Sequence, residues 1–360
     1  MESDLPKVGH LPPAPPAPFP CRRLRHSVDS RSLSPCLLSA PRSINVDALN
    51  FQLVGMKDDC WTMEFAKSKT KQDGEQQHQK HIYANPLYPE ICPVVNNAVH
   101  WSLHGHRSGT HKMYEGAKQN DRFNTAFTKL INEFQEELLT LGAASHGFKY
   151  TSHGLRKGSA TYTAGGSTCA PPPTSIMIRA DWALGQVLSC YLKFADGGDQ
   201  FVGRTVCGLP ADSVVFGTLP PHFARADAAD FKKAAELQFP DLWKTYPHLR
   251  GNLASAIASL VYHHDWLEKN LGKKMEQPHP YFSTSLFRDK ERLQRLRAKV
   301  TLDSSGELGE MTASGVPPHV NIMKQLKQQE KSMLAMADEL RQVTSLNVTA
   351  LALHGVLLKI

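Results

Sequence analysis

The chain has 360 residues, a formal net charge of +7 and a pI near 9.0, with charged and apolar fractions typical of a globular protein. The charge suits a polyanionic partner without requiring one. Seven cysteines without Cys-x-x-Cys spacing argue against a disulfide framework and a structural zinc site. No apolar run could span a membrane and no secretory pattern opens the chain. We therefore expect a nuclear or cytoplasmic protein that is neither secreted nor membrane-bound.

The first half of the chain predicts a tail and then a small sheet. Residues 1–41 are rich in Pro, Ser and Arg, which favours disorder. From residue 45 apolar and polar residues alternate, which predicts two strands joined by a turn at 56–59, with Trp61 and Met63 on one face. After a polar stretch at 69–80, a third short strand (HIYANP) stops at Pro86. The expected product is an antiparallel sheet with a mobile hairpin rich in Lys and Gln.

The rest of the chain is predicted to be helical. Apolar spacing predicts helices at 94–103, 123–141, 155–165, 174–180 and 182–194, and three amphipathic segments beyond residue 210. A segment at 302–318 that contains Gly and Ser reads as a linker before a last helix at 319–360. Its heptad-spaced residues, which Gln329 interrupts, are Ile322, Leu326, Met333, Met336, Leu340 and Val343. Three heptads suit a packing helix and a self-association element equally.

These elements predict a mainly α protein with a small antiparallel β-sheet, an α+β fold. The predicted organisation is a tail at 1–41, a first domain at 42–210, a helical extension at 211–301, a linker at 302–318 and an amphipathic, coiled-coil-like helix at 319–360.

Four residues between 152 and 191 have the types and order of a phosphate-transfer site. His153 and Arg156 are three positions apart, so one turn of helix places an imidazole and a guanidinium on the same face. The guanidinium fork matches two phosphate oxygens and the imidazole donates to a third. Trp182 lies nine residues before Tyr191 (191 − 182 = 9). A tyrosine near an indole N–H donor can attack such a phosphate as a nucleophile.

These residues resemble the active site of the tyrosine recombinases, the phage-type integrase superfamily, and their surroundings are similar to the Crypton-type recombinases of mobile elements. His153 and Arg156 in HGLRKG resemble the family's His-x-x-Arg box. Trp182 in RADW resembles its Gly-His or Gly-Trp dipeptide, and Tyr191 follows at the usual separation. The resemblance covers residues 42–210, including FAKSKT, HIYANPLYPEICPV and YLKFADGGDQFVGRTVCGLP. It implies a tyrosine-recombinase-like catalytic domain followed by C-terminal helices.

The resemblance implies two further catalytic residues. A lysine is expected on a β-hairpin, where it protonates the departing 5′ oxygen, and Lys69 in FAKSKTK is the choice, with Lys67 and Lys71 close enough to be confused with it. A first arginine is expected before the sheet, and Arg42, followed by Ser and Asn in RSIN, matches that place.

The implied activity is DNA strand cleavage and rejoining through a 3′-phosphotyrosine, as in DNA integration and recombination by a mobile element. Double-stranded DNA is the implied partner, in the nucleus, and neither a metal nor a small-molecule cofactor is needed. The alternative is an inactive or domesticated relative that binds DNA without cutting it. The family usually has a helical clamp before the catalytic domain, where this sequence has the tail. It also has a small glycine at the position of Asp181, whose carboxylate could pair with Arg179 or repel DNA.

Simpler interpretations exist for the same residues. Trp182 and Tyr191 also suit the core of an amphipathic helix, with Leu184, Val187 and Leu188 as neighbours. Histidines at 104, 106, 111, 263 and 264 suggest a metal, but no carboxylate or Cys is seen at ligand spacing beside them, and we expect solvated loops.

Overall fold

The computed structural model describes residues 49–64, 79–106, 109–140, 150–182, 196–224, 228–271, 279–304 and 311–357. Over these residues the chain is mainly helical with a small antiparallel sheet, which confirms the predicted α+β class. The tail at 1–41, Arg42, Lys69 with its neighbours, and Tyr191 lie outside the described residues.

The sheet has three strands in the order β1 (Val54–Lys57), β2 (Cys60–Met63) and β3 (Lys80–Ile82), all antiparallel. A two-residue turn joins β1 to β2, and its first residue, Asp58, has a left-handed φ of 50°. Aspartate tolerates this conformation better than most residues because its short polar side chain can bond locally. Every residue of β2 is buried. The predicted hairpin and third strand are confirmed.

Thirteen α-helices lie within the described residues. Seven precede residue 240: α1 (Pro93–His104), α2 (Gln119–Glu133), α3 (Gln135–Thr140), α4 (Ser152–Gly165), α5 (Pro173–Arg179), α6 (Asp196–Val206) and α7 (Ala228–Gln238). Six follow: α8 (Pro240–Thr245), α9 (Arg250–Tyr262), α10 (His264–Leu271), α11 (Ser285–Arg288), α12 (Lys290–Arg297) and α13 (Pro318–Leu357). Two short strands, β4 (His222–Phe223) and β5 (Val300–Thr301), pair with each other.

The single helix predicted at 123–141 is wrong, because the structure has two. Phe134 leaves helical geometry with ψ near 16°, so α2 ends before it and α3 starts after it. No glycine or proline marks the break, so local sequence contained no signal for it.

The largest hydrophobic core joins the two halves of the chain. The sheet and α1 pack against α9, which also packs against α7 and α12 and is buried along most of its length. Trp61 of β2 stacks on Trp101 of α1, with ring centroids 5.1 Å apart. This core spans residues on both sides of position 210, where the sequence suggested a boundary.

A buried ion pair fixes the segment that leads into α13. Arg204 of α6 binds the carboxylate of Asp59, in the β1–β2 turn, and lies 4.5 Å over the ring of Tyr83. Ser314 donates from its backbone N–H and its hydroxyl to the same carboxylate, at 3.1 and 2.6 Å. Val320 packs next to Phe216. Residues 311–320 are thus in contact with the body of the molecule.

Candidate functional site

The candidate site begins at the N-terminus of α4. Thr151 caps this helix, and its Oγ1 accepts a hydrogen bond from the Gly154 N–H at 3.1 Å. On the first turn His153 is exposed, whereas Arg156 is buried, with 7% of its surface exposed. The helix therefore directs its arginine inward, toward the C-terminal end of α5.

The C-terminal end of α5 is closed by a Schellman motif. The Trp182 N–H donates to the Met177 carbonyl at 2.9 Å, and the Asp181 N–H donates to the Ile178 carbonyl at 3.1 Å. Asp181 has a φ of 50°, the left-handed conformation that glycine adopts most easily. Glycine would therefore fit this position with less strain than the Asp181 that occupies it. It also fixes the backbone of Trp182, whose side chain is 42% exposed.

Arg156 and Trp182 meet at this end of α5. One Arg156 terminal nitrogen donates to the Ala180 carbonyl, an acceptor left over at the helix terminus. The guanidinium carbon lies 5.9 Å from the centre of the Trp182 ring, within the range of a cation–π contact. Two of the residues that the sequence singled out, 26 positions apart (182 − 156 = 26), are therefore neighbours.

Lys80, which the sequence analysis did not single out, also reaches this helix end. Its Nζ lies 3.2 Å from the Ile178 carbonyl and 3.4 Å from Asp181 Oδ1, and its side chain is only 3% exposed. Burial lowers the pKa of Lys80, and the Asp181 carboxylate opposes that effect. A signal was present: Lys80 and Ile82 fall on the same face of a strand, so the lysine shares the direction of a core residue.

A buried ion pair lies behind the site and joins three elements. Arg179, the last residue of α5, binds both carboxylate oxygens of Asp199 on α6, at 2.9 and 2.8 Å. Asp199 also accepts from the His81 backbone N–H at 2.8 Å, and its Oδ2 lies 2.9 Å from His81 Nδ1. Burial alone would raise the pKa of Asp199, but Arg179, His81 and Lys80 outweigh it and hold this pKa well below its usual range.

Charged residues at this end of α5 are paired with one another, and Trp182 is the exposed residue beside them. Asp199 neutralises Arg179, and Asp181 faces Lys80 rather than forming the pair with Arg179 that the sequence left open. The Trp182 indole is the exposed part of the site, and it lies beside the buried Arg156 guanidinium. Both are hydrogen-bond donors that suit phosphate oxygens.

The structure describes three of the six predicted site residues. Arg156 and Trp182 are in contact, and His153 is exposed on the same helix, three residues before Arg156. Arg42, Lys69 and Tyr191 lie outside the described residues, so their assignment stays a prediction.

The histidine interpretation needs three corrections. His263, at the C-terminal end of α9, is buried rather than solvated. His106 is buried rather than solvated, and its Nε2 lies 3.3 Å from the Tyr246 hydroxyl. His264 has carboxylates beside it after all: its ring, Asp265 and Glu268 offer ligand atoms within 4.8 Å of one another. Arg297 already binds Asp265 at 2.6 Å, and both carboxylates are exposed, so this group does not define a metal site.

Comparison with protein-family models found no match, and comparisons with curated proteins and with solved structures found none either. Within the described part of the chain, no helix combines the length and apolar character needed to cross a membrane.

Proposed function

We propose that this protein cleaves and rejoins DNA strands through a 3′-phosphotyrosine, as in recombination or integration of a mobile element in the nucleus. The observation that carries the proposal is the contact between Arg156 and the exposed Trp182 at the end of α5. Two donors with phosphate-binding chemistry are held together there by a helix cap, and the sequence order of the tyrosine recombinases requires both of them.

In the proposed reaction Tyr191 attacks the scissile phosphate in line, and a 5′ hydroxyl leaves. Arg156 and His153 stabilise the charge that develops on the phosphate, together with Arg42, and the Trp182 indole N–H donates to a nonbridging oxygen. The phosphotyrosine ester conserves the energy of the broken bond, so a 5′ hydroxyl of another strand can reverse the step.

The proton for the leaving 5′ oxygen comes from a lysine in this proposal. Lys69 remains the choice from the sequence. Lys80 is a second candidate, because its buried ammonium reaches the end of α5 beside Asp181 and its pKa is lowered by burial. A lysine whose pKa is lowered gives up its proton more readily, which suits a general acid.

Covalent capture tests the proposal directly. The protein is incubated with nicked duplexes made from the DNA that flanks its gene, and an SDS-resistant protein–DNA band is sought. The band should disappear in Tyr191→Phe and persist in Tyr262→Phe, a matched control at a tyrosine that is partly exposed elsewhere in the fold. A band that persists in Tyr191→Phe would overturn the assignment of the nucleophile.

A second candidate function is a DNA-binding module that does not cut. What favours it over cleavage is that two cations proposed for catalysis have structural partners: Arg156 binds the Ala180 carbonyl and Lys80 binds the Ile178 carbonyl, so both cap α5. A gel shift without a covalent band, in the same experiment, would support this function over cleavage.

A further inference from the structure

The last helix exposes a long apolar seam. Val320 is 1% exposed and packs on the body, but the heptad-spaced side chains that follow it are between 54% and 70% exposed. These seam residues are Ile322, Leu326, Met333, Met336, Leu340 and Val343. Such exposure means that no residue described in the structure covers the seam.

With its apolar seam exposed, α13 lacks the packing that usually stabilises a helix in a protein. α13 has 40 residues and is therefore about 60 Å long. Helices in proteins depend mainly on packing of an apolar face, because intrinsic propensity alone is marginal. Beyond its first turns α13 has no such packing within the described chain, and it includes weak helix formers such as Val343, Thr344 and Asn347.

We propose that α13 pairs with α13 of a second copy of this chain, in a parallel, in-register coiled coil. The spacing of the seam alternates between three and four residues, which is the repeat of a left-handed coiled coil. Leu326, Met333, Leu340 and Asn347 take the a positions, and Ile322, Gln329, Met336 and Val343 take the d positions.

The polar residues of the seam limit the arrangement. Gln329 and Asn347 would be buried in the pair and need hydrogen-bond partners. Two arrangements supply them. In the parallel one each amide faces its own counterpart, and in the antiparallel one Gln329 faces Asn347. A single polar residue in such a seam commonly fixes the register.

Charge decides between these two arrangements. Glu339 occupies a g position, beside the seam. The antiparallel pairing would place it against Glu339 of the second copy, and like charges across an interface are unfavourable. The parallel pairing places it beside Thr344. The lysines at f positions, Lys324 and Lys331, point away from the partner in either case.

The area is sufficient for a specific pair. Two seams of six large apolar side chains, each more than half exposed at present, would bury on the order of 1,000 Å², near the lower size of specific interfaces. A second copy is the partner we infer, because an identical helix matches both the spacing of the seam and its two polar positions.

The mass of the full chain in light scattering tests the pairing. The variant Leu326→Glu/Leu340→Glu places two charges in the seam and should elute at the monomer mass of 39.9 kDa. Gln328→Glu/Gln342→Glu adds the same charge on the outer face of α13 and is the matched control. The parent chain and this control should have twice the monomer mass or an even higher multiple. A monomeric parent chain, or an unchanged mass in the seam variant, would overturn the proposal.

Cross-linking tests the direction. Gln329→Cys should form an interchain disulfide under mild oxidation, because a parallel, in-register pair places position 329 opposite itself. Lys324→Cys, at an f position in the same background of native cysteines, should not. If Gln329→Cys cross-links no faster than Lys324→Cys, the parallel arrangement is wrong.

Discussion

Asp199 holds together three parts of the chain that are distant in sequence. Its carboxylate binds the Arg179 guanidinium and the backbone and ring of His81, and all three residues are buried. A buried charge of this kind is tolerated only when its partners are complete, so the cost of removing one partner is large. The pair lies directly behind Lys80, and this places it in the support of the candidate site.

Asp199→Asn should lower the free energy of unfolding by about 3–5 kcal/mol at neutral pH, because it leaves Arg179 buried without its counter-charge. The sign of the pH dependence follows from the lowered pKa of Asp199. Its contribution is complete above the ordinary carboxyl pKa of 3.8 and is lost as the pH falls below that value. Urea unfolding at pH 7 and at pH 3 measures both energies, and the gap between parent and variant should be smaller at pH 3. An equal gap at both pH values would contradict the ion-pair account.

Arg156 has a structural partner as well as a proposed catalytic role. Arg156→Ala should lower the free energy of unfolding by about 1–3 kcal/mol, since it removes the donor to the buried Ala180 carbonyl, and it should abolish covalent capture. Lys157→Ala changes an exposed residue of the same helix and should stay within about 0.5 kcal/mol of the parent. Chemical denaturation and the capture assay are read on the same samples. If Arg156→Ala unfolds with the same free energy as the parent and still gives the covalent band, then Arg156 has neither the structural nor the catalytic role.

At the scale of single elements, the end of α5 is where the backbone sets the site. Its Schellman motif requires a left-handed residue at position 181 and directs both the Ala180 carbonyl and the Trp182 backbone. The position of the indole thus depends on a turn rather than on contacts of the ring alone.

Two substitutions at position 181 distinguish the effect of backbone strain on stability from the effect of losing the carboxylate. Asp181→Gly and Asp181→Ala both remove the carboxylate that faces Lys80, but only glycine adopts the left-handed conformation without cost. The glycine variant should therefore be more stable than the alanine variant by about 1 kcal/mol. Thermal unfolding of the two proteins side by side measures this difference. Equal stability would mean that position 181 does not keep its left-handed φ.

The elements show which features the sequence could predict. The β1–β2 hairpin and helices such as α1, α4 and α5 were predictable, because turn residues and apolar periodicity are local signals, whereas the break at Phe134 and the helix α6 were not predicted. Only the resemblance to the tyrosine recombinases suggested that Arg156 and Trp182 belong to one site, since no local pattern links them. The strand pattern could have shown that Lys80 points inward, but the partners of Lys80 and of Asp199 were not found, because they lie 101 and 118 positions away in the chain and no local pattern records such distances.

At the scale of the whole molecule, the helices beyond residue 210 share one core with the sheet. α9 packs against α1 and β1 and contributes fully buried residues to the largest cluster. The segment before residue 210 and the helices after it therefore stabilise each other, although the sequence analysis predicted them as separate regions.

A chain that ends at residue 210 should not fold cooperatively, because it exposes the surface of α1 and the sheet that α9 covers. A chain that ends at residue 324 removes most of α13 but keeps Val320 and Met323 in their cluster, and it should unfold cooperatively. Circular dichroism melts of the two truncations give the comparison. A sharp transition in the shorter chain would show that residues before 210 form an independent domain.

The anchoring of α13 also has a mechanical consequence. Ser314 is hydrogen-bonded to Asp59, and a side chain at Gly315 would meet the backbone of Gln200 at 2.6 Å, so the segment before α13 is packed against the body of the molecule. This anchored segment and the candidate site both contact α6, which carries Arg204 near one end and Asp199 near the other. In the proposed pair, two copies anchored in this way would keep a fixed distance between their candidate sites. If the strand cleavage proposed above takes place, that distance also sets the spacing between two cleavage events on DNA.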